Sequence, residues 1–71
     1  MKLLYYPETD SLYIDLNAKP GADVLEIVDG LVVDIDEDGH PVGIDIQHAS
    51  RRLDLSTLET RALLLQDVTL R

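Results

Sequence analysis

Asp34, Asp36 and Asp38, with Gly39 next and Asp45 six residues further on, have the spacing of a calcium-binding loop. In such a loop, oxygens at the first, third, fifth and twelfth positions converge as the chain wraps the ion, and glycine at the sixth permits the bend. Two positions depart from the pattern. The twelfth is the short Asp45 where a bidentate glutamate is usual, and Pro41 stands where a β-branched residue is usual. The flanks also alternate as strands, whereas this loop needs helices on both sides. The expectation is therefore a hairpin turn with carboxylates on its solvent face, leaving Asp34, Asp36, Asp38 and Asp45 as weak metal candidates. On adjacent strands Asp34 and Asp45 are diagonal neighbours, a loose arrangement for short carboxylates.

Other chemistry has less support. His40 and His48 flank one strand, about 25 Å apart if it is extended, so they cannot share a metal. No nucleophile stands at a telling distance from a base, there is no glycine-rich phosphate loop, and cysteine is absent. No catalytic residue and no cofactor are expected, and the chain is not expected to be an enzyme. Tyr5, Tyr6 and Tyr13 suggest a stacking platform for bases, but Glu8, Asp10 and Asp15 surround them with the wrong charge. Cross-strand packing suits them better.

Period-two alternation over the first fifty residues predicts the elements that hold these groups. Strands are predicted at 2–6, 11–17, 24–28, 31–36 and 42–47. Pro7 to Asp10 supply a turn, residues 17–21 a loop, and Asp29-Gly30 and Asp38-Gly39 two hairpins. A two-residue turn at Asp38-Gly39 sets Ile35 against Val42, Val33 against Ile44 and Leu31 against Ile46, all apolar and on one face. The same test at Asp29-Gly30 sets Glu26 against Val33 on the apolar face. That conflict calls for a longer loop or a position at the sheet rim.

Beyond Ser50 the period changes. Ser56 and Glu59 fit a capping box, and Leu58, Ala62 and Leu65 fall at helical spacing, which predicts a helix over 57–66. A shorter helical turn can precede it over 48–53, and the alternative to the helix is a final strand from Ala62 to Leu65 with Val68 and Leu70. The fold class expected is mainly β with a C-terminal helix (α+β): an antiparallel meander of five strands in sequence order, the last third packed across one face. Residues 1–71 make one domain, with the meander in 1–50 and the helical segment in 51–71. Leu12, Ile14, Leu16, Leu31, Val33, Ile35, Val42, Ile44 and Ile46 are the expected core.

Composition sets the partner class. Fourteen acids against six bases give a net charge of −8 and a pI near 4.3. Phosphate backbones are bound by lysine and arginine displacing counterions, so nucleic acid is not an expected partner. No apolar run is long enough for a membrane span, and the first residues lack a signal sequence, so a cytoplasmic location is expected. In 71 residues a single core seldom supplies more than about 3–5 kcal/mol, and with disulfides excluded a homodimer is the expected support.

Two stretches carry a family resemblance. Tyr5 to Ile14, YYPETDSLYI, is similar to an opening YDPEADALYI, and Asp29 to Ile46, DGLVVDIDEDGHPVGIDI, is similar to a centre DGVVVDLDEDGRVVGIEI. Both belong to a small bacterial family catalogued as domain of unknown function 2283. Tyr6, Thr9, Ser11 and Asp45 depart from it, and the last twenty residues have no firm counterpart. The resemblance implies an antiparallel β fold with a C-terminal helical element, and no catalytic residues. It also implies that Gly39 serves a tight turn and Gly43 a close strand crossing. Some members are encoded beside toxin-like small proteins, which implies an antitoxin-like role.

The functional expectation is a protein-binding module. Its acidic strand face, with Asp15, Asp34, Asp36 and Asp45, would meet a basic partner such as a toxin-like protein. Leu63, Leu64 and Val68 would add apolar contact to that partner or to a second copy.

Overall fold

The computed structural model describes residues 1–63. Five strands form one antiparallel sheet: β1 Lys2–Tyr6, β2 Ser11–Asp15, β3 Asp23–Val28, β4 Leu31–Ile35 and β5 Pro41–Ile46. A four-residue helix, α1 Ala49–Arg52, follows. The class is the one expected. The neighbour order is not: the sheet runs β1-β2-β5-β4-β3, so the chain is not a meander in sequence order. β2 to β5 instead make a Greek key, three hairpin-connected strands whose last member returns beside β2.

The β2–β3 connection explains the difference. Seven residues separate these strands, include Pro20 and Gly21, and offer no two-residue hairpin turn. β2 and β3 stand three strand spacings apart, about 14 Å, a distance seven residues can cross. Crossing moves β5, the most buried strand, from the edge to the centre. Leu16 donates to the Val42 carbonyl at 3.0 Å and Ala22 to the Ile35 carbonyl at 2.8 Å, stitching the connection to the ends of β5 and β4.

Two bulges tune the hairpins. In β4–β5, Val33 faces Ile44 and Leu31 faces Ile46 as expected, but Ile35 faces Pro41 instead of Val42. The loop has three residues, not two: Asp36 donates to the His40 carbonyl at 2.9 Å and Gly39 to the Asp36 carbonyl at 3.0 Å. Gly39 closes it at φ 82, the left-handed conformation that three-residue hairpin loops require. Val42 absorbs the extra residue. In β3–β4 the register shifts between Glu26 and Val28, so Glu26 faces Val32 and Leu25 faces Val33. That bulge at Ile27 takes Glu26 off the apolar face without a longer loop.

The ends of the sheet are tied together by Asp10 and Arg52. Asp10 accepts Ser50 N–H at 3.1 Å and Ser50 Oγ–H at 2.6 Å through its carboxylate, and Ala49 N–H at 2.9 Å through its carbonyl. It therefore caps α1 from forty residues away, since the N-cap residue His48 makes no side-chain cap. Arg52 donates to the Asp29 carbonyl at 2.7 Å, laying its guanidinium over Gly30.

Of the nine residues expected to be buried, only Val42 and Ile46 are, joined by Ala49. Leu12, Ile14, Leu16, Leu31, Val33, Ile35 and Ile44 are half-buried. Among the described residues the strands form one sheet, and residues 53–58 lie beside β1 and β2, bounding an open apolar groove with Leu3, Tyr5, Leu12 and Ile14. The expected helix over 57–66 is not formed in its described part, 57–63. Asp54 holds a local turn there, accepting Ser56 N–H at 3.0 Å and the Thr57 hydroxyl at 3.1 Å. Leu58 is 67% exposed, and a ten-residue helix without packing is marginal in water. The helical turn expected near 48–53 is α1. The alternative strand within 62–70, and Leu64, Leu65 and Val68 with it, fall outside the described residues apart from positions 62 and 63, which are not strand.

Candidate functional site

Opposed residues of antiparallel strands share a face, so the register sorts the side chains. One face carries Tyr13, Asp15, Val32, Asp34 and Asp45 around Gly43. Asp15 and Asp34 stand on either side of Gly43, while Tyr13 and Val32 stand on either side of Asp45. The sequence places Asp15, Asp34 and Asp45 on one face, and the structure brings them together there.

Tyr13 organises this face. Its ring lies across Gly43, where a methyl group would collide with the phenol. The missing side chain lets the phenol reach from β2 over β5 to β4, donating to Asp34 Oδ2 at 2.8 Å. That bond raises the Tyr13 pKa to about 12, with burial and the charges of Asp34, Asp15 and Asp45 adding to it. A phenolate among carboxylates would face like charge, so the group is held as a proton donor. It supplies no base or nucleophile near neutral pH. The three tyrosines make no joint platform: Tyr13 and Tyr6 are on this face, and Tyr5 is on the other.

Asp36 leaves the group. Its carboxylate accepts the N–H of Asp38 and of His40, each at 2.9 Å, inside the hairpin loop. Those backbone donors, chiefly the His40 N–H, lower its pKa. The four weak metal candidates are thus divided. Among the described residues the ligand atoms that gather, within 4.8 Å of one another, belong to Asp36, Asp38 and His40, while Asp34 and Asp45 stay on the sheet. Asp36 is already occupied as the cap of its own turn. His40 and His48 sit at opposite ends of β5, as the spacing predicts. His40 Nδ1 is 3.9 Å from Asp36 and its ring is 76% exposed, and His48 holds a left-handed backbone at φ 53 before α1.

The reading of residues alone missed the Tyr13–Asp34 bond and the Asp10 cap. Gly43 was the available signal for the first, because an interior strand glycine marks a close approach. For the second the local signals were slight: Asp10 is an ordinary turn residue by type, and its partner is forty positions away.

A single Greek-key sheet with one acidic, tyrosine-bridged face defines the class of this molecule. The chain belongs to the family described as protein of unknown function (DUF2283), whose model matches residues 2–50, all five strands and the start of α1. No curated protein and no solved structure matches it. Among the described residues no helix is long and apolar enough to cross a membrane.

Proposed function

We propose that this chain is a protein-binding module that works by covering a basic surface on its partner. One observation carries the reading. Asp15, Asp34 and Asp45 converge on the face organised by Tyr13, and the salt bridges among the described residues, His40–Asp36 and Arg61–Glu59, lie elsewhere. Three carboxylates gathered on one face repel one another unless a cation or a basic surface compensates them. The net charge of −8 would steer such a partner and speed its association. In its most specific form the role is antitoxin-like, with the face occupying the basic surface of a toxin-like protein. Leu63, 49% exposed, would add apolar contact. A non-catalytic role fits the protonated Tyr13 phenol and the turn-capping Asp36.

Cation binding has less support, because Asp36 already accepts two backbone donors in its turn. The test of the protein-binding reading is affinity capture from native-cell extract with the wild type and an Asp34→Asn/Asp45→Asn double variant. The wild type should retain a basic protein at low salt and release it at high salt. The double variant, which keeps an acceptor for Tyr13, should bind it on the order of tenfold more weakly. Equal retention by both proteins would contradict the reading.

A further inference from the structure

The second face of the sheet is apolar. By register it carries Leu3 and Tyr5 of β1, Leu12 and Ile14 of β2, Ile44 and Ile46 of β5, Leu31 and Val33 of β4, and Leu25 and Val28 of β3. Its one charged position in the sheet is Asp23, at the corner opposite Ile35. Leu25 and Val28 are 51% and 57% exposed. We infer that this face is the interface of a homodimer, in which two copies pack sheet on sheet to form a sandwich.

Three features of the molecule choose a second copy as the occupant. The first is charge. Two chains of −8 repel, and this is the face on which they can meet with the least repulsion. Joined there, they hold Asp15, Asp34 and Asp45 on opposite outer surfaces, at least a sheet-to-sheet distance of about 10 Å apart. A charged heterologous partner finds no matching charge on it.

The second is apolar exposure. Leu3, Tyr5, Leu25 and Val28 of this face stay exposed in the single chain, apolar surface that a second copy laid on it would remove from water.

The third is the core. Among the described residues Val42, Ile46 and Ala49 are the buried apolar ones, and a chain this small needs further support. A twofold axis through the apolar face supplies that support to both copies with the same residues, an isologous contact. The sandwich closes over the β3–β4–β5 half, because residues 53–58 already flank β1 and β2.

Sedimentation velocity on the full chain tests this, with two substitutions on the same strand. Leu25→Glu places a charge on the apolar face and Val24→Glu on the acidic face. Both sites are more than half exposed in the single chain, so neither substitution should prevent folding. Wild type and Val24→Glu should sediment at the two-chain mass. Leu25→Glu should dissociate at least a hundredfold more readily, because pairing would bury its charge. The wild-type melting temperature should also rise with protein concentration, a readout that needs no variant. A single-chain mass with a concentration-independent melting temperature would overturn the proposal, whether residues 64–71 or a different protein cover the face. So would equal dissociation of the two variants.

Discussion

Tyr13, Gly43 and Asp34 show how one absent side chain controls three strands. The phenol bridges β2 to β4 only because position 43 is empty of side chain. In a strand interior alanine normally improves on glycine, yet here Gly43→Ala should destabilise the fold by about 1–3 kcal/mol, because it displaces the ring. Thermal unfolding checks that sign. The bond has a titration signature as well. The folded pKa of about 12 lies above the unfolded value near 10, so the folded state holds the phenol proton more tightly. Its stabilisation is complete below pH about 10 and is lost as pH rises through about 12. A spectrophotometric titration should show one tyrosine ionising near 12, absent in Tyr13→Phe and shifted down in Gly43→Ala. Persistence of that step in Tyr13→Phe would show that the bridge does not hold the proton.

Among the elements, the strands were the legible part of the sequence and their connections were not. Alternation marks each strand, because a half-buried sheet forces period two, and it sets Val33 against Ile44. Bulges at Ile27 and Val42 escape it, since one extra residue changes the pairing without changing residue types. Strand order escapes it too, because the seven-residue β2–β3 connection can reach a neighbouring strand or a distant one. The helix over 57–66 was read from the Ser56–Glu59 capping box and the apolar spacing, both local signals, and Leu58 stays 67% exposed. α1 forms instead, short as it is, because Asp10 supplies its cap from another element. The Ser50 and Tyr5 hydroxyls that donate to this carboxylate lower its pKa, the Ser50 bond most. A folded pKa below the unfolded value near 4 means stabilisation that is present above pH about 4 and lost as pH falls through the folded value. Asp10→Ala should therefore lower the melting temperature at neutral pH, and the gap from wild type should close in acid. A gap that stays constant down to low pH would mean that the carboxylate charge is not what ties the sheet to α1.

At the scale of the whole molecule, the sheet separates two kinds of surface. One face gathers Tyr13 with Asp15, Asp34 and Asp45, and the other is apolar apart from Asp23 at its corner. The acidic face was legible, since alternation puts its carboxylates on one side. The thinness of the core was not, because apolar alternation states which residues seek burial and is silent on what buries them. In the proposed arrangement the acidic face is open to a basic partner while the apolar face is covered. Solvent paramagnetic relaxation measured by NMR on the purified protein reads both faces at once. A neutral soluble probe should broaden the signals of Asp34, Asp45 and Val24 strongly, and spare the methyl groups of Leu25, Val28 and Val33. Equal broadening of the two sets, or sparing of the acidic face instead, would contradict it.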